Sequence, residues 1–461
     1  MIAALSVVVM PKKMFAMVIC ASAWLVPVGA IPQSFDRTEI GIFHAVRRQP
    51  NALARYEYLT QRMPQLSAAD QLIIGQFRAF ALDELGLYNE AVLSFPLQSM
   101  QPADLVLPDR AAWKRADAAD VITQLAVDRH IVMINEAHHN AHTRVLTLAL
   151  LPRLRALGFS YFAAEALGDD DPGLMQRGYP VRESGTEYLR EPLYGEIVRE
   201  AIRLGFTLIP YDSSSNDLQT RDTTQAENLF RKVFASDPHA RLFVDAGYAH
   251  IDKARGRLGE ILPMATQLAK LSGFEPLSID QTQFLEHSLG GSDDYHVLTG
   301  RFPTRSAEVL LNRTSDAPWS AQPKLYDLSV ILPPVLNVNS FGNGLKIAAG
   351  DAQPRNVRDT TELAPDLLIA LNDMQRPGWL TLDGERVAFP INTDLCRNRL
   401  PCVVEAHYLG EPDDATAADR YAFFEPYSRS KLYLRPGRYR LRAWNAAGKT
   451  LSGKIIDVAQ R

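Results

Sequence analysis

The stretch "HIVMINEAHHNAHTR", His130 to Arg144, decides the fold. It begins as an apolar run and then turns into one glutamate, three histidines and one arginine. A short continuous apolar run is what a strand buried on both faces looks like, and such strands belong to parallel sheets. The polar cluster falls where that strand must end.

The same texture recurs downstream. "SYFAAEA" (160–166), "FTLIPYD" (206–212), "RLFVDAG" (241–247) and "EPLSIDQ" (275–281) are short apolar runs that end in acidic or polar residues. Between them lie helical stretches such as "RVLTLALLPRLRALGF", "YGEIVREAIRLGF" and "RGRLGEILPMATQLAKLSGF", with Gly158, Gly205 and Gly273 placed as C-terminal caps. Strands alternating with helices predict an α/β core, a mostly parallel sheet flanked by helices, over residues 111–344. Upstream, residues 31–110 read as a helical cap holding one TPR-like hairpin around "ELGLYNEA". Downstream, residues 345–461 show short alternating strands with tight turns, a β-sandwich-like module.

The chain has 461 residues, 46% hydrophobic and 22% charged, with a formal net charge of -4. These are values of a folded globular protein, and without a basic excess nucleic acid is not an expected partner. Near the N-terminus, Lys12 and Lys13 precede an apolar run from Met14 and small residues at Val28 and Ala30. That is a signal-peptide pattern over residues 1–30, too short and interrupted for a stable membrane span. Cleavage and export to a periplasm or the exterior is the expectation, with an uncleaved anchor as the alternative. Cys20 lies in that leader, which leaves Cys396 and Cys402 in "LCRNRLPC". A close pair in an exported chain reads as a disulfide closing a short loop; two free thiols are the alternative.

Every predicted core strand exits into ionisable residues: Glu136 and His138, Glu165, Asp212, Asp245 and His250, and Asp280. In a parallel sheet those exits share one edge, where ligands bind. Each acidic residue alone can be a helix N-cap. Glu165 inside "FAAEAL" is harder to dismiss, because an unpaired buried charge is costly.

"NEAH" (135–138) and "GYAH" (247–250) resemble the paired glycine-x-x-histidine motifs of the superfamily that joins erythromycin esterase-like proteins, haem-binding ChaN-like lipoproteins, TIKI metalloproteases and TraB proteins. "RDTTQAEN" (221–228) is similar to the arginine-led helix between those motifs. The likeness covers about residues 118–280. Asn135 departs from it, standing where the first glycine belongs. The resemblance implies a cleft lined by glutamates, histidines and an arginine, in members that differ in chemistry.

Three readings follow. The first is a hydrolase for an ester, lactone or amide, with a small-molecule or peptide substrate. His138 is then the general base, Glu136 or Glu165 orients it, Arg221 stabilises developing charge, and His250 is the second acid. Asp212, Asp245 and Tyr248 are assigned to substrate binding. No G-x-S-x-G nucleophile elbow is present. In a metal-assisted form, His138, His250, Glu136 and Glu165 would hold Zn, Mn or Fe. The second is a haem- or metal-binding protein without hydrolytic activity, with His138 or Tyr248 on a haem iron and Tyr248, Tyr211 and Phe284 along the slot. The third is an interaction protein whose site has decayed.

His142 is expected in a first helical turn, and His139 in second contact or solvent. "RGRLGEIL" (255–262) reads as a solvated helix start, or less readily as an anion site. Trp319 is expected to be a buried aromatic rather than a stacking platform.

Overall fold

The computed structural model describes residues 37–97, 101–287, 293–335 and 376–460. The expected leader, residues 1–30 with Cys20, lies outside the described residues, as does the start of the expected tail at 345.

The core sheet has six strands, all parallel, in the order β4-β3-β5-β2-β6-β8. They are β2 (Ile131–Glu136), β3 (Tyr161–Ala164), β4 (Thr207–Pro210), β5 (Leu242–Gly247), β6 (Leu277–Asp280) and β8 (Leu328–Ser329). Five coincide with the apolar runs of the sequence. The sixth, β8, is a two-residue edge strand from the "DLSVILPP" segment. Every residue of β2 and β5 is buried, as their central places in the sheet demand. An antiparallel pair, β1 (Trp113–Asp117) with β7 (Glu308–Asn312), stands beside the sheet. The helical and apolar patterns gave no sign of it.

Helices cover both faces. On one side α5 (Ala118–Leu125), α6 (His142–Ala156) and α8 (Pro192–Arg203) pack against Val132, Ile134, Phe162 and Phe243. On the other, α9 (Leu218–Leu229) and α10 (Met264–Ser272) pack against Ile131, Met133, Val244 and Ala246. Period-two alternation sends successive strand residues to opposite layers. Gly158, Gly205 and Gly273 take positive φ where α6, α8 and α10 end, as their positions in sequence predict.

Upstream lie α1 (Arg37–Arg47), α2 (Ala52–Arg62), α3 (Ala68–Glu84) and α4 (Tyr88–Leu93). Ser67 caps α3 by accepting from the Asp70 amide. Downstream, β10 (Cys402–Tyr408), β11 (Asp419–Phe423), β13 (Gly437–Asn445) and β14 (Thr450–Val458) form an antiparallel sheet in the order β11-β10-β13-β14, and β9 (Val387–Asn392) pairs with β12 (Arg429–Leu434). Cys396 and Cys402 are disulfide-bonded, their Cα atoms 5.9 Å apart.

The tail is knit to the rest of the molecule. Leu53, Tyr56, Leu82 and Leu85 share one apolar cluster with Val403, Tyr421 and Leu441. Glu196 of α8 is buried against Arg386 and accepts from the Tyr408 hydroxyl at 3.0 Å. A Cβ on Gly86 would lie 2.0 Å from the Arg420 carbonyl oxygen, so the α3–α4 turn and β11 touch backbone to backbone. Among the described residues no helix is long and apolar enough to cross a membrane.

Candidate functional site

Strands β2 and β5 are neighbours whose following helices leave to opposite faces, α6 to one and α10 to the other. Such a divergence opens a crevice at the carboxyl ends of the strands. His138 follows β2 and His250 follows β5, so the two histidine motifs meet at this edge of the sheet, where both rings are buried.

Each imidazole is held by a carboxylate. His138 Nδ1 meets Glu136 Oε1. His250 Nδ1 lies 3.0 Å from Asp222 Oδ1, which also accepts from the Met264 amide at 2.7 Å. Holding Nδ1 in this way sets the orientation of each ring. His138 stacks on Tyr188 at 4.0 Å and meets Tyr248 edge-on at 5.0 Å.

Glu165 lies between the two. Its Oε1 accepts from Arg221 at 2.5 Å and its Oε2 from the Gly247 amide at 2.6 Å. Burial raises its pKa, but Arg221, His250 and His138 outweigh that and bring it down to about 2. Arg221 also makes a two-pronged pair with Asp212, at 2.9 and 3.0 Å. Asp212 is itself raised, burial outweighing Arg221, and accepts from Gln225 at 2.7 Å. The site thus brings together Glu136, His138, Glu165, Asp212, Arg221 and His250.

Gly247 explains one element of the motif. A Cβ there would fall 2.7 Å from His138 Cε1, 2.9 Å from its Nε2 and 3.0 Å from Glu165 Oε2. Only a bare Cα admits both groups. Gly247→Ala is expected to cost about 1–3 kcal/mol by overpacking. An unchanged urea midpoint would show that the space is not closed. Tyr248, next in the chain, holds a left-handed backbone with φ 46, a conformation that costs a bulky residue energy and gathers at functional sites.

Asn135 departs from the motif for its side chain, not its backbone. It is fully buried in β2. Its Nδ2 faces the Tyr248 carbonyl at 2.8 Å, Asp280 Oδ1 at 2.7 Å and Thr282 Oγ1 at 2.9 Å, and its Oδ1 accepts from the Gln281 amide at 2.6 Å. It clamps the exits of β2, β5 and β6 together. Asp280 belongs to this clamp, bonded by Arg257 at 2.6 Å, and Arg257 also pairs with Asp252. The "RGRLGEIL" stretch is therefore neither a solvated helix start nor an open anion site at Arg257.

One assignment moves, and one left open is decided. Asp245 points under the sheet, its oxygens accepting from Thr147 at 2.8 Å and Tyr194 at 2.7 Å, which places it with the α6–α8 layer rather than the crevice. His139 is buried, stacked on Phe95 at 3.5 Å, and not in solvent. His142 does begin α6, stacked on Trp379 at 4.8 Å, and burial lowers its pKa to about 3. Trp319 is buried against Phe284 at 5.2 Å.

The sequence reading passed over four participants. Arg144, wholly buried, binds Glu136 Oε2 at 2.9 Å, Asp83 at 2.8 Å and Glu191 at 3.2 Å. Asp222 was hidden behind the arginine beside it. An arginine on the apolar helix "HTRVLTLALL" was a usable signal for Arg144. Asp83 and Glu191 lie in remote segments and carried none. Glu136 is lowered, Arg144 and His138 outweighing burial. A small cavity reaches this cluster, lined by Phe77, Phe80, Asp83, His138, Arg144 and Tyr188 among others.

The donor set does not suit a metal ion. Both oxygens of Glu136 and of Glu165 are committed, each carboxylate to an arginine and to one further group. Among the described residues no group of three or more His, Cys, Asp or Glu side chains is arranged to hold a metal. The haem slot fails as well: Tyr211 packs with the α9–α10 layer and Phe284 in a separate cluster with Trp319.

Buried carboxylates also set a pH response. Burial pushes Asp245 and Asp83 up to about 7 and Asp252 up to about 6. An unfolded Asp titrates near ~4, so the folded state holds extra protons between about 4 and 7, and stability falls as pH rises through that window. Glu165 acts oppositely: its contribution is present above its unfolded pKa and is lost as pH falls toward 2. Burial lowers His139, His142 and His287, and these oppose the aspartates as pH rises toward about 6.5, so the thermal midpoint is expected to be level between about pH 4 and 6 and to decline from there toward about pH 7. Asp245→Asn should flatten the alkaline decline; a midpoint that climbs steadily to about pH 8 would contradict the assignment.

No protein-family model matches the chain, and no curated protein matches it. Among solved structures it is similar to two described as bacterial protein toxins, each at 12% identity and a TM-score of 0.28. The alignments cover 55% and 52% of this chain and 47% and 55% of those chains. The chain thus spans about half the length of the structures it matches, and at that score the likeness bears on neither fold nor activity.

Proposed function

We propose that the chain is an exported hydrolase for an ester, lactone or amide, in keeping with the motif resemblance to the erythromycin esterase-like superfamily. One observation carries the reading: two carboxylate-held imidazoles, Glu136–His138 and Asp222–His250, meet at one edge of the sheet with the Glu165–Arg221 pair between them. His138 Nε2 takes a proton from water as the water oxygen adds to the substrate carbonyl. Glu136 steadies the imidazolium that forms. His250, entering as the imidazolium held by Asp222, gives a proton to the leaving group, and the proton taken up by His138 passes to solvent as His250 is reprotonated from it. Arg221, clamped by Glu165 and Asp212, holds Glu165 ionised beside the two imidazoles.

The disulfide supports export. A cavity beside Phe80 and Tyr188 reaches His138, which supports access to that imidazole. The test is turnover, by the mature protein, of a panel of aryl esters, lactones and aryl amides. Turnover of one class that disappears in His138→Gln upholds the reading. No turnover of any class, by protein shown to be folded, overturns it.

A further inference from the structure

The cavity beside His138 is walled on one side by the core and on the other by the N-terminal helices. One side chain crosses that divide with full hydrogen bonding. Asp83, in the last turn of α3, is 2% exposed. Its Oδ1 accepts from the Ala141 amide at 3.0 Å, at the residue that precedes α6. Its Oδ2 accepts from Arg144 at 2.8 Å. Arg144 in turn holds Glu136 Oε2 at 2.9 Å and the His138 carbonyl at 3.3 Å. The other oxygen of Glu136 meets His138 Nδ1.

Glu191 closes the set. It caps α8, accepting from the Leu193 and Tyr194 amides at 2.9 and 3.0 Å, and pairs with Arg144 at 3.2 Å. Tyr88, just past the α3–α4 turn, donates to Glu191 at 2.9 Å. The N-terminal helices therefore reach the arginine cluster twice, through Asp83 directly and through Tyr88 by way of Glu191. Phe80, one turn before Asp83 on α3, lies edge-on to the His138 ring at 6.0 Å. An Asp placed three residues beyond an aromatic points along the same helix face.

We infer that Asp83 is a positioning residue for His138, acting through Arg144 and Glu136, so that the N-terminal helices complete the site rather than merely cover it. The inference rests on the hydrolase reading for its kinetic consequence and on geometry for its structural one. Arg144 has three carboxylates to satisfy and a fixed planar fork with which to do so. Without Asp83 the guanidinium turns toward its two remaining partners, and the Glu136 oxygen that faces His138 turns with it. A misplacement of about 1 Å in a base is worth on the order of 100-fold in rate.

Three variants, compared at about pH 8 where Asp83 is ionised, separate the outcomes. Asp83→Asn removes the charge at constant shape, Asp83→Glu retains it, and Ile74→Ala loosens α3 in the apolar cluster with Phe43 and Phe77, away from Arg144. Two readouts are needed. One is kcat and KM on the substrate found above. The other, independent of turnover, is the downfield proton resonance of the His138–Glu136 bond, assigned by its loss in His138→Gln.

Asp83→Asn is expected to lower kcat about 100-fold with little change in KM, and to shift or abolish the downfield resonance. Asp83→Glu should recover part of both. Ile74→Ala should lower the thermal midpoint and leave both intact. An unshifted resonance and unchanged kcat in Asp83→Asn overturn the inference. If Ile74→Ala reproduces the Asp83→Asn effects, Asp83 acts through helix stability alone and the inference is also overturned. A shifted resonance in a protein that turns over nothing upholds the positioning role while removing the hydrolase reading.

Discussion

Replacing Arg144 with Met is expected to destabilise the protein by about 3–5 kcal/mol, the cost of leaving buried charge without its partner. The side chain is wholly buried and serves Glu136, Asp83 and Glu191 together, while stacking 5.1 Å from the Tyr194 ring. Met matches most of the arginine stem but supplies no donor. Asp83 escapes part of the cost by protonation, since burial already pushes it up to about 7. Glu136 has only His138 left, and Glu191 keeps its two amides and Tyr88. The loss is therefore expected to be larger at about pH 8 than at about pH 5. Urea midpoints at the two pH values measure it. A change under about 1 kcal/mol at both would mean that the cluster is better hydrated than its burial indicates.

The second large effect is catalytic. With a substrate in hand, His138→Gln is expected to lower kcat/KM by about 1,000-fold, the middle of the range for a positioned general base. Glu136→Gln should cost nearly as much, and the double variant no more than the worse single one. Groups that act as one unit are non-additive in this way. The same holds for Asp222→Asn with His250→Gln, because Asp222 reaches the site through that imidazole. Glu136 also serves Arg144, so its variant needs its folded fraction measured alongside the rates. Fully multiplicative losses within either pair would show that the carboxylate and the imidazole act separately.

Much of this architecture was legible along the chain. Buried parallel strands are apolar on both faces, so β2 to β6 could be read without their partners. Helix ends announced themselves through glycine, since a left-handed C-terminal residue is cheap only there. The paired histidine motifs and Arg221 were legible because each lies within a few residues of a strand end or of another motif. The β1–β7 pair was not, because Trp113–Asp117 and Glu308–Asn312 acquire their strand character only from each other across nearly two hundred residues.

The sequence by itself determined the alternation of strand and helix, the edge on which ionisable residues gather, and a cysteine pair close enough in the chain to bond. The tertiary structure alone decided which of those residues meet. It sent Asp245 beneath the sheet to Thr147 and Tyr194, made Asn135 and Asp280 a clamp, and gave His250 its partner Asp222. It also brought Asp83 and Glu191 to Arg144 from outside the motif region. The physical reason is that period and composition are local properties, whereas a buried charge must be neutralised by whatever the packing of remote segments delivers to it.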